Sequence, residues 1–135
     1  MAKPFSYNKQ EKLKGRKLVD GLFATGKSFT SFPVKVFYML PAQPLDNCVK
    51  TGVGASSRNF KRAVDRNRVK RLLREAYRTE KLPLYQFLEE HNLQAAIFIL
   101  YIDKVLPDFK MLKDKMPHII KRLIKELHAK AAKNT

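Results

Sequence analysis

The chain has 135 residues, 44% of them apolar, and carries 28 Lys and Arg against 12 Asp and Glu, a formal net charge of +16. That length and apolar share suit one small domain with its own core rather than wholesale disorder. The longest apolar run, Ala95 to Ile102, is far short of a membrane span, and the lone Cys48 excludes intramolecular disulfides and Cys-based zinc clusters.

The first sixteen residues read as a basic, flexible arm without the apolar core of a secretory signal, so a cytoplasmic location is expected. A single domain is expected over residues 17–130, with a flexible tail at 131–135. Its first helix should run from about Lys17 to Thr25, with Leu18, Val19, Leu22 and Phe23 on one side and Gly26 ending it. From Phe29 to Leu40 the residues become β-branched and aromatic, and Pro33 divides a short strand from a longer one. Val34, Val36, Tyr38 and Leu40 share the core side of the longer strand, leaving Lys35, Phe37 and Met39 on the other. After a turn at Pro41 to Asn47, Cys48 to Ser56 forms a third strand in which Gly52 and Gly54 keep one face low.

Residues 62–80 give the clearest helix. Leu72, Leu73, Ala76 and Tyr77 lie within about 80° of Val69, whereas Asn67, Lys70, Arg71, Arg74 and Arg78 fall between about 100° and 200° from it. One side is core and the other a basic ridge. Pro83 ends this element, and Leu84 to Asn92 adds a helical turn or two. Ala95 to Ile102 is expected as a central strand covered on both faces. The last helix spans about Asp108 to Lys130, with Asp108 as N-cap and Phe109, Leu112, Met116, Ile120, Leu123 and Leu127 on the core side. Pro117 should kink this helix or reset its start. The fold class is therefore α+β, in the order αβββαβα around one four-stranded sheet packed with helices.

Charge is concentrated along this chain: +7 in residues 58–81 and +5 in each of 1–27 and 108–135, with the apolar strand segments nearly neutral. Such clustering calls for an anionic polymer, and nucleic acid is the leading candidate. Guanidinium forks on a helical ridge can grip successive phosphates, and only Glu75 and Glu80 are at hand to neutralise this one. On the sheet, Lys35 and Phe37, flanked by Phe23, combine a cation with aromatics against which unpaired nucleotides stack.

The run GVGASSRNFKRAVDRNRVKRLLREAYR, residues 52–78, contains Arg66, Asn67 and Arg68 followed by Lys70, Arg71, Arg74 and Glu75. It resembles the RNR motif of the protein subunit of bacterial ribonuclease P. Gly52, Val53 and the Ser56 to Arg62 stretch resemble that family's strand and basic loop, and LFATGKSF at 22–29 resembles its first helix end and turn. The resemblance spans about Leu13 to Leu127. It implies a subunit of an endoribonuclease that removes the 5′ leader of precursor tRNA, with the active site and its Mg2+ in a catalytic RNA and no catalytic residue in the protein. The partners it implies are that RNA and precursor tRNA; neither membrane nor DNA is expected. It assigns Arg66, Asn67, Arg68, Lys70, Arg71 and Arg74 to the catalytic RNA and the edge of the leader cleft, with Arg58, Lys61 and Arg62 extending that surface. Phe23, Lys35 and Phe37 match the leader cleft, while Val19 stands where the family commonly has an aromatic. The resemblance further implies a left-handed crossover from the third strand to the fourth, against the usual hand.

Chemistry within the chain finds little footing. His91, His118 and His128 are not spaced as ligand pairs, Asp103 and Asp108 are the only close carboxylates at a candidate site, and Gly52 and Gly54 lack the Lys and Ser/Thr of a phosphate loop. A ribosomal or RNA-chaperone protein and a self-sufficient nuclease are the rival readings.

Overall fold

A computed structural model describes residues 22, 26–40 and 49–133. Four strands, β1 (Lys27–Ser31), β2 (Val34–Met39), β3 (Val49–Ala55) and β4 (Ala95–Tyr101), form one sheet in the order β1-β2-β4-β3. The β1/β2 and β2/β4 pairs are antiparallel and β3/β4 is parallel. A parallel pair cannot close through a tight turn. Two helices, α1 (Ala63–Glu80) and α2 (Leu82–Glu90), make this connection, and α3 (Phe109–Lys133) closes the chain. The α+β class and the four-stranded sheet agree with expectation, as does the central position of β4.

One face of the sheet carries the core. Val34, Val36, Tyr38, Val49, Thr51, Ile97, Ile99 and Tyr101 alternate inward and are buried beneath α1 and α3. Into this layer α1 sends Val69, Leu73, Ala76 and Tyr77, and α3 sends Leu112, Met116, Ile119, Ile120, Leu123 and Leu127. The Thr51 hydroxyl donates to the Tyr77 hydroxyl at 2.9 Å, so the buried polar groups satisfy each other where α1 crosses β3. At the β1 edge, the Arg122 guanidinium lies 4.7 Å over the Phe29 ring and donates to the Thr30 carbonyl at 3.1 Å. Arg122 thereby covers an edge carbonyl that would otherwise stand open to another strand.

Local chemistry accounts for the boundaries. Asp108 caps α3 as expected, its Oδ1 accepting from the Met111 N–H at 2.7 Å. The α2 helix ends on Asn92, whose φ of 52° lies in the left-handed region that Asn tolerates. The Leu93 and Asn92 N–H groups return to the Leu88 and Glu89 carbonyls. Gly26 donates to the Leu22 carbonyl, and a Cβ at this position would collide with that same oxygen, so the close approach requires glycine. Apart from the buried Leu22, the expected first helix lies outside the described residues, as do Val19, Phe23 and Cys48.

Five expectations need correction. Pro83 does not end α1 but sits in the first turn of α2, where a missing N–H costs nothing, and α2 is a nine-residue helix beginning at Leu82. Pro117, which faces solvent, does not reset the start of α3, and the helix runs on from Phe109 to Lys133, so residues 131–133 belong to it and not to the expected flexible tail. Phe109 is 37% exposed and lies outside the core cluster. On β4, Phe98 and Leu100 are only half-buried, because no helix among the described residues covers their face fully.

Two core phenols make stability depend on alkaline pH. Burial, and then the Glu126 carboxylate to which it donates at 2.9 Å, push Tyr38 up to about 12. Burial, followed by Asp103 and Asp108, takes Tyr101 to about 12 as well. The native state therefore keeps protons that the unfolded chain, with phenols near 10, releases. This stabilisation is complete below about pH 10 and is lost as pH rises through 12. Urea titrations across that range should show a shallower loss of stability for Tyr38→Phe than for the parent, and equal slopes would sever Tyr38 from the effect.

Candidate nucleic-acid interface

Burial of Val69, Leu73, Ala76 and Tyr77 sets the rotation of α1 and so decides what its other side presents. Asn67, Arg68 and Arg71 are exposed, while Lys70, Arg74 and Arg78 are half-buried along the flanks. Because Val69 points inward between them, Arg68 and Lys70 project to opposite flanks, about 200° apart, and the basic surface is broader than a single ridge. Asn67, Arg68 and Arg71 line one shallow depression with Arg62, Val64 and Asp65, which joins the helix to the preceding loop.

Acids neutralise little of this surface. Arg78 forks onto Glu75 at 2.9 Å, and Arg62 reaches Asp65 only at 3.9 Å with its own side chain 76% exposed, a pair of small worth in water. Arg68, Lys70, Arg71 and Arg74 meet no carboxylate among the described residues. Arg66 behaves differently: its Nη1 donates to the Phe60 and Lys61 carbonyls at 2.8 and 2.9 Å. This contact ties the basic loop to the helix, so Arg66 shapes the surface as well as adding charge to it.

The loop itself is held from several sides. Buried Phe60 packs against Tyr101, the Asn59 amide donates to the Ile102 carbonyl at 3.1 Å, and the Arg58 N–H donates to Ser56 Oγ at 3.1 Å. Arg58, Lys61 and Arg62 stand exposed on this anchored backbone.

The sheet face away from the core forms a second surface. Strand register aligns Thr30, Lys35, Leu100 and Gly54 in one row and Ser28, Phe37, Phe98 and Gly52 in the next. The Lys35 ammonium stands 5.2 Å from the Phe37 ring centroid, a cation–π arrangement on a half-buried face. Phe98 leans over Gly54, where a Cβ would sit 2.7 Å from its Cζ. Sequence periodicity missed Phe98 and Leu100 because an unbroken apolar run looks the same whether one face or both are covered. The expected third aromatic, Phe23, lies outside the described residues.

Among the described residues, no three His, Cys, Asp or Glu side chains gather where they could hold a metal ion. The fold does unite two histidines that sequence spacing kept apart: the His91 and His128 rings are 5.5 Å apart, beside Phe87. Asp108 serves as a cap, and Asp103 Oδ1 accepts from the Lys104 N–H at 2.7 Å, so both carboxylates are engaged in local structure. No helix of the described residues is long and apolar enough to cross a membrane.

The sequence and the fold have counterparts among known proteins. The ribonuclease P family model matches residues 7–124. The ribonuclease P protein component of Porphyromonas gingivalis is 35% identical over 130 residues, covering 96% of this chain and 95% of its own. That of Chlorobium phaeobacteroides is 33% identical over 125 residues, covering 85% and 86%. Among solved structures, the RNase P proteins of Staphylococcus aureus and Thermotoga maritima superpose with TM-scores of 0.64 and 0.63 at 18% and 21% identity. They cover 85% and 83% of this chain and 96% of each structure, which establishes the shared fold. With a family match over most of its length and relatives above 30% identity along nearly the whole chain, this chain belongs to the ribonuclease P protein family.

Proposed function

We propose that the chain is the protein subunit of the ribonuclease P ribonucleoprotein, acting with a catalytic RNA in the endonucleolytic removal of the 5′ leader from precursor tRNA. The observation that carries this reading is the set of cations on α1, Arg68, Lys70, Arg71 and Arg74, held on a rigid helix without carboxylate partners among the described residues. Phosphates are the counterions such a surface fits. Each phosphate contact releases condensed counterions, which lowers the cost of bringing two polyanions together. Arg66, Asn67, Arg68, Lys70, Arg71 and Arg74, with Arg58, Lys61 and Arg62, are assigned to the catalytic RNA, and Lys35 and Phe37 to the leader. The basic arm at residues 1–16 extends the same attraction. In this reading magnesium belongs to the catalytic RNA and the assembly to the cytoplasm.

On the open sheet face, Phe37 offers a ring for an unpaired leader base and Lys35 a charge for its phosphate, while Gly52 and Gly54 keep the neighbouring strand low. The chain contributes binding and orientation there, and hydrolysis is left to the RNA.

Reconstitution tests the reading. Added to a bacterial ribonuclease P RNA at low magnesium, the protein should stimulate precursor tRNA cleavage; no stimulation would sink the proposal, and cleavage without RNA would make the protein a nuclease. Arg71→Ala should weaken RNA binding and flatten the plot of log affinity against log salt by about one unit, whereas Arg78→Ala, already paired with Glu75, should flatten it less. Equal changes would remove the distinction between free and paired cations. Phe37→Ala should weaken leader-bearing substrate and spare mature tRNA. Gly54→Ala, by displacing the Phe98 ring, should do the same; equal losses for both RNAs would take the leader off this face.

A further inference from the structure

At the end of the sheet where β3 and β4 leave it, three loops converge on one residue, Ile102. The Ile102 N–H donates to the Pro33 carbonyl at 2.9 Å, and the Ile102 carbonyl accepts the Asn59 side-chain amide at 3.1 Å. These two bonds join the β1–β2 turn, the basic loop and the segment leading into α3. The last of these is folded on itself as well: the Tyr101 hydroxyl donates to the Val105 carbonyl at 2.6 Å, and Asp103 Oδ1 accepts from the Lys104 N–H.

This anchored end displays what a folded surface normally hides. Phe32 is 59% exposed, Val105 67% and Leu106 43%, and with Phe109 they make up four of the six exposed large hydrophobic residues among those described. The exposed Arg58 and Lys61 stand on the basic loop and Lys104 on the segment leading into α3, two of the segments that meet at Ile102. The nearby acids are spent locally, Asp103 within its own turn and Asp108 as the α3 cap. An apolar patch marks a docking surface, and a cationic rim selects an anionic partner with flat apolar parts. Unpaired nucleotides fit both requirements, because their bases stack on aromatic rings while their phosphates remain outside.

We propose that Phe32, Val105 and Leu106 form a platform for an unpaired nucleotide of the catalytic RNA, with Arg58, Lys61 and Lys104 holding its flanking phosphates. The proposal rests on the reading of the chain as a ribonuclease P subunit. The catalytic RNA is the occupant rather than the leader because the platform lies beyond the end of the sheet face. It is also continuous, through Asn59 to Arg62, with the cations of α1.

The test uses the full-length protein and a bacterial ribonuclease P RNA without substrate. Phe32→Ala combined with Val105→Ser removes exposed groups only, and thermal unfolding verifies that the fold is kept. Affinity for the RNA should fall about tenfold, the size of losing one stacked base, with the salt slope unchanged. Lys104→Ala should instead flatten that slope by about one unit. A benzophenone side chain at position 105 should crosslink to the RNA subunit in the holoenzyme. Unchanged affinity in the double variant, or crosslinks to the precursor tRNA leader or to a second protein copy, would overturn the platform. If the parent protein itself neither binds nor stimulates the RNA, the functional reading falls first and the platform with it; if the parent stimulates and only the variants behave like it, the platform alone is lost.

Discussion

The cationic surface of this protein depends on how α1 is seated. Val69, Leu73, Ala76 and Tyr77 are fully buried between β3 and α3, and the Thr51 to Tyr77 hydrogen bond marks the crossing point. Burying a large apolar side chain is worth about 1.5–3 kcal/mol, whereas surface charges at helical spacing interact by a few tenths of a kcal/mol each. The apolar stripe therefore wins, and the cations are held on the outside despite repelling one another. The surplus positive potential is a persistent cost to the isolated fold that an RNA backbone removes.

Positioning extends from the helix into the adjoining loop. Arg66 turns back to two loop carbonyls, Phe60 inserts beside Tyr101, and Asn59 reaches the end of β4. Arg58, Lys61 and Arg62 thus project from a backbone with little freedom left, which reduces the entropy lost when they meet phosphate. The open sheet face uses a different device. There the rows of paired strands bring Lys35 and Phe37 beside Leu100 and Phe98, and Gly54 leaves room for the Phe98 ring. One surface is convex and cationic, the other flat and aromatic. This division suits a duplex-like backbone on the first and unpaired nucleotides on the second.

Much of this was legible in the residues alone. Helical spacing located the buried and basic sides of α1, alternation placed Val34, Val36 and Tyr38 inward, and Asp108 announced the start of α3. The departures each trace to information that spacing does not hold. Pro83 and Pro117 both suggest interruptions in the sequence, but a proline in the first turn starts a helix, and α3 continues through Pro117. The uniformly apolar run around Phe98 and Leu100 implies burial on both faces, yet their side of the sheet is only half covered.

The sequence by itself determined the class of fold, the elements, the sides of α1 and the need for an anionic partner, because these follow from periodicity and charge, which are local. Tertiary structure alone decided which distant residues meet: Arg66 with the 60–61 carbonyls, Phe98 with Gly54, His91 with His128, and three loops at Ile102. Those meetings depend on strand order and on the crossover from β3 to β4, which set distances between segments far apart in the chain. No local pattern encodes them, since the same alternating and helical spacings are compatible with more than one order of strands in a sheet.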